Sequence, residues 1–338
     1  MSTLILFGAE GWLGSSVLDE LKHAGLESFG ITNIILQTQK DKLQLFKLKN
    51  IEIKQIGCDF CNPEDLKNLK CFLDENVYGR LFVIFTSGVI HPNKFEQFKK
   101  VNFDSLKSLY KLLKNYELKK FTYISSNSPF GFNKKNIPFD ENSQYSAKGG
   151  YGVSKMNCEK FLLKQNQKKI ITILRAPWFH GRNMPFRQKK FLISASKGFF
   201  PLIGLGNNLR SIVNVKDLAK ASILVTFKNR KNNIYWVCES NKSMKNIIDL
   251  IKNANADFKK KKVIKFNIYL PFGFSSFFYV CDLILQKLKI YNMYIHVFSE
   301  IGQDIYADNS LYLSEFSKDH KFSPLEETIY EEMNEAFS

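Results

Sequence analysis

An apolar run of strand length, Thr3-Leu4-Ile5-Leu6-Phe7, passes without a break into Gly8-Ala9-Glu10-Gly11-Trp12-Leu13-Gly14. Ser15 to His23 then carries helical periodicity, with Val17, Leu18 and Leu21 on one side. Strand, glycine loop and helix in that order leave a chain few ways to fold. Gly8 permits a tight turn, Gly11 lets backbone approach a pyrophosphate, and Gly14 brings the helix against the strand. The N-terminus of the helix that follows presents free N–H donors to phosphate. Glycines also serve ordinary turns, but this spacing in this context reads as a dinucleotide-binding loop.

The alternation continues. Ile31 to Gln37 is expected to be a second strand, Ile51 to Ile56 a third ending at Cys58-Asp59, and Leu81 to Phe85 a fourth closed by Thr86-Ser87-Gly88. Phe121 to Ser125 is expected to be the fifth. Asn62 should cap a helix over Pro63 to Leu73, and Lys94 to Asn115 should form a long one. Repeated strand–helix units of about 30 residues predict a parallel, doubly wound α/β sheet of Rossmann type, with helices on both faces. A carboxylate that binds the adenine ribose commonly ends the second strand of such sheets. Here Gln37, Thr38, Gln39 and Lys40 stand there, with no acid until Asp41. Lys40 and Lys42 would tolerate a 2′-phosphate, so these residues leave NAD and NADP both open.

The chain has 338 residues, 44% of them hydrophobic, which suits two domains or one domain with an elaborated cap. Its net charge of +17 suggests a polyanionic partner or a membrane surface. The lysines are scattered, however, and no basic stripe with interleaved aromatics argues for nucleic acid. Cys58, Cys61, Cys71, Cys158, Cys238 and Cys281 read as reduced core thiols, because no second close pair completes a zinc site with Cys58-x-x-Cys61. Residues 3–8 lead straight into the glycine loop rather than into a cleavage site, so a cytoplasmic location is expected. Ile268 to Ile290 is the longest apolar stretch. It is interrupted by Pro271, Asp282, Gln286 and two lysines, which makes it an amphipathic helix of a cap rather than a membrane span.

Tyr151-Gly152-Val153-Ser154-Lys155 carries the candidate chemistry. On a helix, Tyr151 and Lys155 share one face. A phenol titrates near pH 10, and an ammonium one turn away should lower that value, so the pair could exchange a proton with a substrate hydroxyl. Ser125-Ser126-Asn127-Ser128 places hydroxyls at the carboxyl end of the fifth strand, where such sheets hold ligands.

Taken together, these motifs resemble the extended short-chain dehydrogenase/reductase superfamily, the sugar-nucleotide epimerases and dehydratases. The likeness covers Gly8-x-x-Gly11-x-x-Gly14, Asp59, Thr86-Ser87-Gly88, Ser125-Ser126-x-x-x-x-Gly131 and Tyr151-x-x-x-Lys155. Further on, Leu174-Arg175-Ala176-Pro177-Trp178-Phe179-His180-Gly181, Gly204 to Arg210, Val213 to Ala219 and Phe322 to Glu327 look like the family's later segments. The resemblance implies a catalytic set of Ser126, Tyr151 and Lys155, with Lys155 also on the nicotinamide ribose. It implies Asp59 near the adenine, the loop Gly8, Gly11, Trp12, Leu13 and Gly14 at the pyrophosphate, and Ser126, Asn127 and Arg210 toward substrate. It favours NAD without excluding NADP, and it implies a nucleotide sugar as substrate and admits a homodimer.

Thr86 departs from the family's usual residues after the fourth strand, and Ser211 follows Arg210 where many relatives have Asp. Asn127 and Ser128 stand where 4,6-dehydratases place an Asp-Glu pair, and loss of water needs an extra acid and base. The expectation is therefore an NAD(P)-dependent epimerase, most readily a 4-epimerase. A one-way reductase, a 3β-hydroxysteroid-type dehydrogenase and a non-catalytic dinucleotide-binding sensor are the alternatives. The expected domains are 1–178 with 211–239 for the cofactor, and 179–210 with 240–338 for the cap. His180, in an aromatic-rich turn, reads as structural.

Overall fold

The computed structural model describes residues 1–39, 43, 47–134, 137–166, 169–260, 262–263 and 266–337. Two compact units are present: Met1–Pro129 with Gly150–Arg175 and Ala219–Tyr235, and Phe130–Gly149 with Ala176–Leu218 and Trp236–Ser338.

The first unit grows around β1 (Ser2–Phe7), all six residues of which are buried. Its partners are β2 (Ile31–Thr38), β3 (Glu52–Gly57), β4 (Arg80–Phe85), β5 (Leu118–Ser126), β6 (Ile171–Ala176) and, after three strands of the second unit, β10 (Ile234–Trp236). The seven strands run in the order β10-β6-β5-β4-β1-β2-β3. β1 pairs in parallel with β2 and β4, β2 with β3, and β4 with β5. Fully buried parallel strands are continuous apolar runs because both faces are covered. The covering helices include α1 (Trp12–Leu21), α2 (Pro63–Asn76), α3 (Ser105–Leu113), α4 (Gly150–Gln165) and α6 (Val215–Phe227). Leu69 and Leu73 of α2, Leu109 and Leu113 of α3 and Leu162 of α4 join one core with Ile5, Val83 and Phe121.

Sheet growth reverses at β1, because β2 lies on one side of it and β4 on the other. Ligands of such sheets bind beyond the carboxyl ends of the strands at this switch point. Phe7, the last residue of β1, stands opposite both Gln37 and Phe85, so the Gly8 loop and Thr86-Ser87-Gly88 emerge side by side. Asn62 caps α2 as expected, accepting the Glu64 N–H at 3.0 Å. The helix expected over Lys94 to Asn115 is different: Phe98–Asp104 is a π-helical turn, and regular helix begins at Ser105. Lys40, Asp41 and Lys42, on which cofactor choice partly rested, lie outside the described residues.

The second unit holds β7 (Trp178–His180), β9 (Leu209–Asn214) and β11 (Ser240–Ser243) as a sheet ordered β11-β9-β7, and β8 (Leu202–Ile203) paired with β12 (Tyr269–Leu270). Its helices include α5 (Phe186–Ser196), α7 (Met244–Lys259), α8 (Gly273–Lys287), α9 (Met293–Glu300), α10 (Ser310–Phe316) and α11 (Leu325–Phe337). Phe130, Phe139 and Trp236 form an aromatic core with Ile305, and the Trp236 indole donates to the Asp140 carbonyl at 2.8 Å. Residues 130–149, 176–178, 211–218 and 236–239, expected with the cofactor domain, belong here. β9 pairs with β7 and β11 rather than with the large sheet, and Phe130 and Phe139 pack on Trp236. Among the described residues no helix is long and apolar enough to cross a membrane.

Candidate active site

The glycine loop has little room to vary. Gly8 has φ +79, and a Cβ there would stand 2.6 Å from Ser87 Oγ. A Cβ at Gly14 would stand 1.9 Å from the Gly8 carbonyl oxygen, so α1 can approach the loop only without a side chain at that point. Gly11 is different: it is exposed and extended at φ −70, ψ 163, and its Cβ would meet only the Gly8 oxygen, at 3.3 Å. α1 starts at Trp12 with no side chain capping it and no acid in its first turn. The first N–H groups of a helix lack intrahelical partners. A backbone cradle closed against side chains and opening on an uncapped helix N-terminus fits a pyrophosphate.

At the end of β2, Gln37 is committed to structure: its Oε1 accepts the Gly8 N–H at 3.0 Å, and its Nε2 donates to the Thr38 and Cys58 carbonyls at 2.7 and 2.8 Å. The carboxylate near this strand end comes instead from inside the loop. Glu10 Oε1 accepts the Gln39 N–H at 2.8 Å, and Oε2 is buried with no hydrogen-bond partner. Sequence reasoning passed over Glu10; its signal was a charged residue at a variable position of a phosphate loop. Asp59 closes the turn after β3, its Oδ1 accepting the Cys61 N–H at 2.9 Å.

Lys155 lies on α4 with Tyr151 one turn before it, and β5 ends beside them. Lys155 is buried and donates from Nζ to the Ile124 carbonyl at 2.9 Å. The ammonium lies 5.8 Å from the centre of the Tyr151 ring and 4.7 Å from that of Tyr123. Burial lowers the Lys155 pKa to about 8, while Cys158 and Glu159 pull it the other way. Tyr151 is partly buried, and desolvation pushes its phenol well above the ordinary value, against a lowering hydrogen bond with Ser126. This corrects the expectation of a depressed phenol. Loss of water around the hydroxyl sets the direction, and the site holds Tyr151 protonated.

Ser126 is oriented by its successors. Its Oγ donates to Asn127 Oδ1 at 3.1 Å, lies 3.2 Å from Ser128 Oγ, and accepts the Ser128 N–H at 3.2 Å. A residue not foreseen, Asn102, holds the arrangement from the π-helical turn. Its amide donates to Ser154 Oγ and to the Val89 carbonyl, both at 3.0 Å, and its Oδ1 accepts the Val89 N–H at 2.7 Å. Ser154 in turn donates to the Tyr151 carbonyl at 2.7 Å, and Cys158 donates to the Asn102 carbonyl at 3.3 Å. π turns recur at functional sites because the extra residue re-aims a side chain; sequence periodicity does not reveal them. One turn on, Glu159 accepts from Ser125 and from Arg175, the latter at 3.0 Å with both partners buried, which pins α4 to β5 and β6.

The second unit carries Arg210, on β9. Its guanidinium donates to the Glu300 carbonyl, while Nε is buried with no partner. Burial lowers its pKa, opposed by Glu300 and Asp304. Arg187 also feels the Glu300 carboxylate. His180 is built in rather than poised: Nδ1 meets Glu332 at 2.6 Å and Nε2 lies 3.8 Å from Glu239. Burial lowers its pKa, but Glu332 and Glu239 prevail and raise it to about 9. Cys58 is buried, its thiol pushed up to about 12 by burial and by Asp65 and Asp59. No cluster of metal-ligating side chains occurs among the described residues.

The family model described as "NAD dependent epimerase/dehydratase family" matches residues 4–238. The uncharacterized protein y4nL of Sinorhizobium fredii is 30% identical over 318 residues, covering 90% of this chain and 87% of that one. A putative UDP-glucose 4-epimerase of Methanocaldococcus jannaschii is 23% identical over 270 residues, 74% of this chain and 81% of its own. Among solved structures, the UDP-glucose 4-epimerase of Thermotoga maritima, determined with UDP-glucose, has TM-score 0.68 at 16% identity and covers 98% of both chains. The dTDP-glucose 4,6-dehydratase of Bacillus anthracis, determined with NAD, has TM-score 0.68 at 16% identity, over 99% of this chain and 96% of that one.

Proposed function

The chain belongs to the NAD-dependent epimerase/dehydratase family, as an NAD-dependent enzyme of the extended short-chain dehydrogenase/reductase type, and we propose that it is a 4-epimerase of a nucleotide-linked sugar. The observation that supports this reading is the buried Lys155 ammonium, 5.8 Å from the centre of the Tyr151 ring, with Ser126 acting on the same phenol. NAD, when bound, would supply reversible hydride transfer at a carbon bearing a hydroxyl. Tyr151 moves the accompanying proton: as the phenolate it accepts when an alcohol is oxidised, and the phenol so formed donates when the ketone is reduced. Ser126, held by Asn127 and Ser128, orients the reacting oxygen. Lys155 is fixed by the Ile124 carbonyl, and its positive charge favours the phenolate form that Tyr151 must reach. Gly8, Gly11, Trp12, Leu13 and Gly14 would hold the pyrophosphate, Asp59 the adenine side, and Glu10 the ribose hydroxyls. Arg210, with a buried and unpaired Nε, would take the substrate diphosphate.

Asn127 and Ser128 are engaged in orienting Ser126, and neither side chain offers the acid or base that loss of water needs, so epimerisation is favoured over dehydration. The test incubates the purified enzyme and Tyr151→Phe with UDP- and dTDP-hexoses, following both sugar configuration and net NADH. We expect interconversion of C4 epimers with no net change in NADH, and turnover lower by about 10²–10⁴ in the variant. Stoichiometric NADH consumption would point to a one-way reductase, and undiminished turnover in Tyr151→Phe would remove the assigned role.

A further inference from the structure

α8 sets polar residues among the aromatic side chains it packs on α9, Phe274 and Phe278 against Phe298. Its buried residues are Ser275 and Asp282, and the buried residue of α9 is Ser299. Asp282 pairs with His296 Nδ1 at 2.9 Å and accepts Gln286 Nε2 at 2.7 Å, so a polar cluster occupies the inner side. The outer side is apolar: Phe277 is 64% exposed, Val280 55%, Ile284 53% and Leu288 63%. These residues recur every three or four positions and so form a single stripe. Phe272, just before the helix, is 74% exposed as well; its ring lies against Gly204, next to the exposed Leu205. Contiguous apolar surface of this kind marks a protein or membrane contact.

Charge selects between the two. From Phe272 to Ile290 the only acid is Asp282, which is buried, while Lys287 and Lys289 are exposed at the end of the stripe. A second copy of the chain would bring these lysines, and a net charge of +17, against their own kind. An anionic bilayer supplies both the apolar depth and the opposite charge. With 15 residues α8 spans about 22 Å, too short to cross a bilayer core. We propose that α8 and Phe272 seat the protein on an anionic lipid surface, with the helix lying in the interface and Lys287 and Lys289 at the headgroups.

The test is sedimentation of the full chain with phosphatidylcholine vesicles, with and without phosphatidylglycerol, over a range of salt. Wild type should bind the anionic vesicles at least about tenfold more tightly than the neutral ones, and less tightly as salt rises. Phe277→Ser with Ile284→Ser should lose binding by a further factor of about ten or more, without loss of thermal stability, since both side chains face outward. Lys287→Gln with Lys289→Gln should weaken binding by about fivefold per lysine on anionic vesicles only. The proposal fails if wild type shows no preference for anionic vesicles, or if the serine variant binds as well as wild type. It also fails if sedimentation equilibrium finds a dimer that the serine substitutions dissolve, because the stripe would then belong to a second copy.

Discussion

Replacing Lys155 by Met should make the cofactor-free protein more stable at neutral pH while disabling it. Lys155 is 4% exposed, and burial lowers its pKa from 10.5 to about 8. A fall of that size corresponds to about 3 kcal/mol that the charged lysine costs the fold. The cost is present in full below pH 8, where the side chain is protonated folded and unfolded alike. It shrinks as the folded protein releases its proton between pH 8 and 10.5, and it is gone above that range. Against this stands the hydrogen bond from Nζ to the Ile124 carbonyl, worth about 1–2 kcal/mol. Met fills much of the same volume. The variant should therefore gain about 1–2 kcal/mol at pH 7 and lose that advantage by about pH 10, where only the missing hydrogen bond counts. The assay is urea unfolding of both proteins without cofactor at the two pH values. A variant less stable than wild type at pH 7, or a difference independent of pH, would show that the buried ammonium does not cost the fold this energy.

Three further outcomes are expected. Gly11→Val should fold like wild type, because its Cβ meets only the Gly8 oxygen, yet lose NAD binding in calorimetry; Gly14→Val, with its Cβ 1.9 Å from the same oxygen, should fail to unfold cooperatively. Retained NAD affinity in Gly11→Val would sink the assignment of the loop. Glu10→Gln should reduce affinity for NAD by roughly tenfold, as loss of a charged hydrogen bond requires, and reduce that for NADP less; parallel titrations with an unchanged ratio would remove Glu10 from the ribose. Arg210→Ala should weaken a diphosphate-bearing substrate by roughly 1.5–3 kcal/mol with dinucleotide affinity unchanged, read from KM and NAD titration, and an unaffected KM would favour a substrate without phosphate.

Much of this protein is written locally. β1, the glycine loop and α1 follow from an apolar run, glycines at fixed offsets and a helical period, all within the first two dozen residues. Tyr151 and Lys155 fall on one helix face by spacing alone, and Ser126 reaches the site because a parallel strand must end where its sheet binds ligands. Other features depend on residues far apart in sequence. Asn102 reaches Ser154 because seven residues wind as a π turn where their apolar period suggested regular helix. Glu10 became the carboxylate near the end of β2 because a loop residue folded over a strand 29 positions away.

The titration of Tyr151 marks the division most clearly. Sequence spacing determined that an ammonium would lie near the phenol, since both belong to one helical turn. Which way the phenol shifts depends on desolvation, hence on everything that long-range folding packs around it, and there burial raises its pKa. The same holds for α8. Its amphipathic pattern was legible from Ile268 to Ile290, but which face turned inward was not. A pattern states only that two faces differ; in the structure Asp282 pairs with His296 and Phe278 packs on Phe298, while Phe277 and Ile284 are exposed.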